Sequence, residues 1–226
     1  MLRRLFFLFT SFGWGPFLGG LLVLIATSAL SAEPHRYATV PALTVGFNHG
    51  VSIGGVSYIT IQLDPDPQHR GPSVLFSERA SGSTLGAEWK EGVHRAFAAA
   101  ARALGEDPRK WTLTIKHSTY TSSAEGSSAS SIVAVGIMAA WRGDSLRSGM
   151  VLTGVVTPDG QIVEVGELPT KLEGAAMARM HTMLVPKGQA RTDEWDLHQQ
   201  AGERNMTVVE VASLQEAYEL MTGKRP

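Results

Sequence analysis

The sequence predicts an α+β domain in which mixed sheets pack against helices, over residues 33–226. Two patterns along the chain predict this class. Some segments alternate apolar and polar residues, which is typical of strands. They are interspersed along the chain with segments whose apolar residues recur at helical spacing. No internal repeat and no low-complexity linker divides them, so a single domain is expected. With 43% hydrophobic and 18% charged residues, the chain can bury a sizeable core.

The first half of the domain carries two clear strands with a helix between them. Residues 56–63 alternate polar and apolar side chains, and the Asp-Pro-Asp-Pro sequence that follows ends this strand because proline cannot donate to a ladder. After a loop rich in Gly and Ser, apolar residues recur at helical spacing over 89–104, and Gly105 is the stop signal. Residues 111–115 predict the second strand.

The second half begins with a helix of small residues, predicted over 128–141. A strand over 151–156 follows, and a Pro-Asp-Gly turn leads into another at 162–165. Pro169 is expected at the first position of the next helix, where its missing N–H is not needed. The remaining predicted elements are short strands at 183–186 and 208–211, each flanked by helical segments that end near Met221.

The first 32 residues have the features of an export signal or membrane anchor. Arg3 and Arg4 are their only charges, and an apolar stretch follows over residues 5–26. This stretch is long for a signal peptide and long enough to span a bilayer, so a cleaved signal and a retained anchor both stay open. In either case we expect the domain to lie outside the cytoplasm, secreted, periplasmic, or anchored to the inner membrane.

Charge and composition argue against several classes of function. The 20 basic and 21 acidic residues give a net charge of -1 without any block of like charges, so no nucleic-acid partner is expected. The absence of cysteine removes thiol nucleophiles, disulfides and thiolate metal sites. The seven histidines form no HExxH motif, and neither a P-loop nor a G-x-G-x-x-G sequence occurs. We therefore expect no metal and no cofactor.

Hydroxyl-bearing residues are concentrated at 122–131, directly before the apolar part of a predicted helix. A serine at such a junction lies near backbone N–H groups that have no partner within the helix. An oxyanion that develops there finds hydrogen-bond donors and the positive end of the helix dipole. Serines also serve as N-caps and loop residues, so local composition alone leaves both interpretations open.

A second segment, residues 152–176, shifts the balance towards the catalytic interpretation. Together with Glu125-Gly126-Ser127-Ser128-Ala129-Ser130 it resembles the proteolytic domain of Lon proteases, including the archaeal membrane-anchored type. The shared order is a serine motif at a helix start, a Thr-Gly strand, a hairpin, Val-Gly, a lysine-bearing helix and a strand ending in Val-Pro. The resemblance covers most of the chain after about residue 40. It implies a Lon-like fold, a serine endopeptidase acting on polypeptides, and a homo-oligomer.

The resemblance implies roles for four residues. Ser128 matches the nucleophile and Lys171, 43 residues further on, its general base. Thr153 matches the strand hydroxyl that orients the lysine amine, and Glu125 an acidic position beside the serine. Such a dyad needs a neutral lysine, whose ordinary pKa of ~10.4 must fall. A lysine in the first turn of a helix has its pKa lowered by the positive dipole end, which is the required direction.

Three positions depart from the family pattern. Ser127 stands where a proline or acidic residue is usual, Ser130 replaces a glycine common in bacterial members, and Glu167 takes the place of a second glycine before the lysine helix. A carboxylate four residues before Lys171 favours the charged amine and so opposes a general base. The alternative function is therefore a catalytically inactive Lon-like fold that binds proteins.

The sequence encodes no ATPase module, whereas Lon proteases feed unfolded chains to their sites with an attached motor. The expected activity is therefore ATP-independent cleavage of flexible segments. Other enzyme classes fit less well. The Gly-Ser-Ser-Ala-Ser run is one residue short of the G-x-S-x-G elbow of α/β hydrolases, and the S-x-x-K motif of penicillin-binding enzymes is absent. Small-metabolite kinases with a similar Gly-Ser-Ser-Ala loop are larger, and a kinase would leave the 152–176 segment unexplained.

Overall fold

The computed structural model describes residues 36–77, 84–118 and 123–226, with the backbone alone at Asn48, Ser118 and Ser123. The described residues belong to one compact unit, Glu33–Pro226. The predicted signal or anchor over residues 1–32 and the start of the serine-rich segment at Ser122 lie outside them. No helix within the described ranges has both the length and the apolar character that a bilayer span requires.

A seven-stranded mixed sheet forms the centre of the domain, as the predicted fold class requires. The described strands are β1 (Arg36–Asn48), β2 (Val51–Pro65), β3 (Ser73–Ser77), β4 (Thr84–Leu85), β5 (Trp111–Ser118), β6 (Ser123–Ala124), β7 (Met150–Leu152), β8 (Val155–Val156), β9 (Ile162–Val163), β10 (Thr182–Pro186) and β11 (Thr207–Val211). The order in the large sheet is β11-β10-β7-β1-β2-β5-β3. Strand β2 is antiparallel to β1 and β5, and the other neighbours are parallel. Strands β4 with β6 and β8 with β9 form two small sheets.

Five α-helices are described, and they cover both faces of the sheet. They are α1 (Ala87–Leu104), α2 (Ser130–Arg142), α3 (Leu168–Met177), α4 (Leu197–Gly202) and α5 (Leu214–Thr222). Side chains alternate between the faces along each strand. In β10, Leu184 packs in the core with α1, α2 and α5, whereas Met183 and Val185 pack in a second core with α3 and α4. The domain therefore has three layers, with the sheet in the middle.

Several predicted elements have the expected type with shifted ends. Helix α1 ends at Leu104, and Gly105 after it takes the left-handed conformation with φ 69°, as the stop signal predicted. Helix α2 begins at Ser130 rather than residue 128, so Ser128 lies in the turn that precedes it. Helix α3 begins at Leu168, so Pro169 is its second residue and not its first.

Two expectations about strands were wrong. The continuous strand predicted over 151–156 is broken into β7 and β8, and Thr153 and Gly154 connect them in a non-strand conformation. Strand β3 lies within the segment expected to be a loop, because its pairing with β5 stabilises a stretch that carries little periodic signal of its own. The long strand β1 was not predicted either.

Candidate active site

The candidate site is a cavity beside the point where the large sheet opens. Strands β1 and β7 pair only at Ala42 and Leu152, and β1 continues past Ala42 after β7 has ended. The cavity has a volume of about 260 Å³. It is lined by Ala42, Leu43, Thr44, Val45, Trp89, His117, Ala124, Glu125, Gly126, Ser128, Ala129, Gly166, Glu167 and Lys171. Ser128 and Lys171, from separate segments and opposite layers, thus meet at one cavity.

Ser128 is held through its carbonyl oxygen, which accepts two hydrogen bonds. The Gly154 N–H donates to it at 2.9 Å and the Thr153 hydroxyl at 3.3 Å. Gly154 fits there because a Cβ would lie 2.4 Å from Ile162 Cγ2. With the carbonyl fixed, the backbone N–H groups of Ser128 and Ala129 are left without an acceptor among the described residues. These two groups are the donors available to an oxyanion beside the Ser128 hydroxyl.

The two serines that depart from the family pattern make structural hydrogen bonds. The Ser127 hydroxyl donates to Glu88 Oε1 at 3.1 Å, which ties the serine turn to the start of α1. The Ser130 hydroxyl, 2% exposed, accepts from the Val156 N–H at 2.9 Å and so ties the start of α2 to β8. Both substitutions therefore keep polar groups satisfied and the turn before α2 in place.

Lys171 is 5% exposed and lies in the first turn of α3. Burial lowers the pKa of its amine to about 8, while the charge of Glu167 acts in the opposite direction. Within the described ranges, no carboxylate lies within 4.0 Å of this amine. A buried lysine without an ion pair has its pKa lowered towards the range in which a general base works.

Two carboxylates face the same cavity. Glu125 packs so closely against Gly86 that a Cβ added at Gly86 would overlap the Glu125 carboxylate. Glu167 precedes α3 in the left-handed conformation with φ 59°, and its carboxylate accepts from the Thr170 hydroxyl at 3.2 Å. For a residue with a Cβ this conformation costs about 1 kcal/mol. Glycine would avoid that cost, which agrees with glycine being usual there in the resembling family.

Thr153 has a different partner from the one expected. Its side chain is 1% exposed, and its hydroxyl donates to the Ser128 carbonyl. Among the described residues no hydrogen bond joins it to the Lys171 amine. The structure thus relates Thr153 to the backbone of Ser128, and a role towards Lys171 stays a prediction.

Sequence reasoning missed the aromatic wall of the cavity. Trp89 from α1 stacks on His117 from β5, with ring centroids 5.2 Å apart and planes 9° from parallel. His117 Nε2 forms a 2.8 Å hydrogen bond with Ser57 Oγ, and its Nδ1 has no partner among the described residues. Burial lowers the pKa of His117, so the ring is neutral near pH 7. The period-two pattern of β5 places His117 on the inward face with Ile115, which was the available signal.

The family model of the Lon protease (S16) C-terminal proteolytic domain matches residues 86–222. The chain belongs to this family. The matched range spans more than half of the chain and contains both Ser128 and Lys171. Among the described residues, this member of the Lon proteolytic-domain family has no group of His, Asp or Glu side chains arranged to hold a metal ion.

Two curated relatives are archaeal Lon proteases. The protein from Thermococcus kodakarensis is 27% identical over 107 residues, which is 47% of this chain and 17% of the relative. The protein from Pyrococcus abyssi is also 27% identical over 107 residues, covering 47% of this chain and 11% of the relative. The match therefore spans less than a fifth of either relative. Strand β1, which supplies one wall of the cavity, lies before the residues matched by the family model.

Proposed function

We propose that this protein is a serine endopeptidase in which Ser128 is the nucleophile and Lys171 the general base. The observation that carries the proposal is the convergence of these two residues on one cavity. They are 43 residues apart in sequence and belong to segments packed in different layers of the domain. Two further features support it: the buried amine of Lys171 and the N–H groups beside Ser128 have no partner within the described ranges.

The proposed reaction has two stages. Ser128 Oγ attacks the carbonyl carbon of the scissile peptide bond while its proton passes to Lys171 Nζ. The N–H groups of Ser128 and Ala129 donate to the oxyanion of the tetrahedral intermediate. The Lys171 ammonium then protonates the leaving amine, which departs and leaves an acyl-enzyme. A water molecule, deprotonated by Lys171, attacks the ester carbonyl carbon. The bond to Ser128 Oγ then breaks, the Lys171 ammonium returns its proton to Oγ, and the peptide leaves as its carboxylic acid.

Thr153 and Glu125 act as supporting residues in this proposal. Thr153 orients the nucleophile through the Ser128 carbonyl, in addition to the expected influence on the lysine amine. Glu125 is two positions from Ser127 and contributes a negative charge to the wall of the cavity. Removing either is expected to lower activity less than removing Ser128 or Lys171, because neither takes part in bond making.

Labelling with a fluorophosphonate followed by peptide mapping tests the nucleophile without knowledge of the substrate. We expect a covalent adduct at Ser128 in the wild type, and no adduct and no peptidase activity in Ser128→Ala. Ser131→Ala is a matched control, since its hydroxyl is buried nearby with no partner among the described residues. An adduct at Ser127 or Ser131, or activity that persists in Ser128→Ala, contradicts the assignment. A wild type without labelling or turnover indicates the alternative function, an inactive Lon-like fold that binds proteins.

The finer parts of the function are proposals as well. We propose that the enzyme works without ATP on flexible polypeptide segments, because no nucleotide-binding motif is present in the sequence. The arginines and apolar stretch before residue 27 support a location outside the cytoplasm, with residues 5–26 as a signal or an anchor. We also propose a homo-oligomer, which would restrict access to the cavity.

A further inference from the structure

The wall of the catalytic cavity has an excess of negative charge. Glu125, Glu167 and Lys171 are its charged lining residues, and the lowered pKa of His117 keeps that ring neutral near pH 7. The proposed reaction needs Lys171 in its neutral form. In that form the two carboxylates have no positive partner in the lining, so the reactive state of the cavity is the one that most favours a cation.

A second observation points to a ligand at this place. Lys171 is more than nine-tenths buried, with 5% of its surface exposed, and it lines the cavity. Its amine has no ion-pair or hydrogen-bond partner among the described residues. Glu167 adds to this, because it occupies a left-handed backbone position that glycine would take without strain. Backbone strain clusters at active sites and ligand clamps, and of the described non-glycine residues with positive φ, Glu167 is the one that lines this cavity, so its carboxylate is a candidate for substrate contact.

The shape and the other lining residues suit a long side chain with a charged end. The volume of about 260 Å³ is smaller than the ~300 to 1,000 Å³ of a pocket for a drug-sized ligand, and fits one amino-acid side chain. Leu43, Val45 and the ring of Trp89 give apolar surface for the methylene groups of lysine or arginine. An indole face also attracts a cation directly.

We propose that Glu167 and Glu125 form an acidic subsite in the catalytic cavity that receives a Lys or Arg side chain of the substrate next to the scissile bond. The inference rests on the proposed peptidase function and names its substrate class. Glu167 is the specificity-determining residue, because it lines the cavity with Lys171, whereas Glu173, the carboxylate within α3, is exposed and does not line it. Glu125 assists from the opposite wall.

Occupation of this subsite has a consequence for the base. The charged or titratable groups that line the cavity together with Lys171 are Glu167 from its own segment, Glu125 from the serine turn and His117 from β5, and no other lysine and no arginine is among the described lining residues. A substrate cation bound to the carboxylates offsets their effect on the amine and lowers the pKa of Lys171. A basic substrate therefore promotes the neutral base, and by reciprocity the neutral base binds a basic substrate more tightly.

The test compares arginine with citrulline, its uncharged isostere. Fluorogenic peptides of one sequence with blocked termini carry either residue at each position around the cleaved bond in turn. At one position we expect kcat/KM to be about tenfold higher for arginine, the size of one charge-assisted hydrogen bond. Glu167→Gln should reduce this ratio to about 2 or less. Glu173→Gln removes the same charge from an exposed position within α3 and should leave the ratio unchanged.

Two sets of results distinguish failure of the proposed subsite from failure of the proposed peptidase function. Equal kcat/KM for arginine and citrulline at every position, with Ser128-dependent cleavage, overturns the subsite and leaves the proposed function intact. If no peptide is cleaved, the same pairs are compared by fluorescence anisotropy on Ser128→Ala in the full chain. A Kd at least fivefold lower for an arginine peptide, abolished by Glu167→Gln, supports the subsite in a binding protein. Equal Kd values overturn it.

Discussion

Three influences set the charge of Lys171. Burial lowers the pKa of its amine to about 8 against the opposing charge of Glu167. The positive end of the α3 dipole acts in the same direction as burial. A pKa of about 8 leaves roughly one amine in ten neutral at pH 7, whereas an unperturbed lysine would have about one in three thousand. Burial is therefore the decisive influence, and the Glu167 carboxylate opposes the lowering of the pKa without cancelling it.

The pH dependence of peptide hydrolysis tests this assignment. A base that must be neutral gives a rate that rises tenfold per pH unit below its pKa and levels above it. We expect kcat/KM of an uncharged peptide, measured between pH 5 and 10, to rise with pH and then level off. The midpoint of this rising limb of the pH profile should lie near pH 8. Lys171→Ala and Lys171→Arg should both lose nearly all activity, since a guanidinium stays protonated throughout this range. Wild-type rates in Lys171→Arg are incompatible with a base role.

Glu167→Gly provides the internal control for the same limb. It removes the charge that favours the ammonium and also relieves the left-handed backbone at φ 59°. The limb should therefore move to lower pH and the rate at pH 7 should rise with an uncharged peptide. Glu173→Gln should leave the limb in place. A limb that shifts equally in both variants would mean that general surface charge, not Glu167, acts on the amine.

At the scale of elements, glycine contacts position the lysine helix. Helix α3 lies on β2 at Gly54, where an added Cβ would be 1.9 Å from the Thr170 carbonyl oxygen. On the helix side, a Cβ at Gly174 would be 2.3 Å from the Gly55 N. Both would-be contacts are with backbone atoms, which cannot rotate away as a side-chain end can. The depth at which Lys171 enters the cavity therefore depends on these glycines.

Gly54→Ala is expected to damage stability and activity together. The methyl group forces α3 away from β2, and overpacking of this kind costs roughly 1 to 3 kcal/mol of unfolding free energy. The same displacement moves Lys171, so peptidase activity should fall by more than the unfolded fraction explains. Urea unfolding and kcat, measured on the same preparation, check both effects.

Gly202→Ala is the matched control, because nothing lies within 4 Å of its would-be Cβ. It should leave activity unchanged and the midpoint of urea unfolding the same or slightly higher. Wild-type stability in Gly54→Ala would show that α3 can shift without cost, and would remove these glycines from the account of the site.

Element types could be predicted where periodicity is strong. Helix α1 and strands β5, β10 and β11 are found where the apolar patterns indicated them. Strand β1 escaped prediction because Pro41 and Gly46 interrupt its pattern, and proline is unusual inside a sheet. Its pairing with β2 along its full length stabilises it regardless, which is a tertiary effect that local sequence does not carry.

The candidate site, like the fold, could be predicted from the sequence only in part. Ser128, Lys171, Thr153 and Glu125 were named from motif resemblance, and three of them line the cavity while Thr153 lies behind Ser128. The Trp89 and His117 wall could not be predicted, because its two residues come together only when α1 packs on β5. Contacts across layers are set by packing, and spacing along the chain contains little information about them.

At the scale of the whole molecule, the three-layer arrangement makes the site depend on the complete domain. The serine turn packs with α1, α2 and α5, whereas Lys171 belongs to the layer of α3 and α4. The cavity exists because β7 ends at Leu152 while β1 continues along its wall. A fragment that contains only the residues with the serine motif would therefore lack the base.

Location can be tested on the full chain in cells. With two arginines ahead of an apolar stretch, the domain should be outside the inner membrane. Protease added to spheroplasts should digest it, and a cytoplasmic protein of similar size should survive in the same sample. Protection while the membrane is intact, followed by digestion after detergent, would mean that the orientation is reversed.

Peptide hydrolysis by this domain should not depend on nucleotide. No phosphate loop occurs in the sequence, so hydrolysis of a flexible peptide should have the same rate with ATP, with ADP and after nucleotide removal by apyrase. A peptidase that works without a motor can cleave only what is already unfolded, so its rate on a protein substrate should follow the unfolded population of that substrate. A substrate domain and its destabilised variant, fused to the same flexible tag, separate these effects. The tag should be cut from both at one rate, and the body only from the variant. Cleavage of the stable body that requires ATP would show that a motor partner works with this domain.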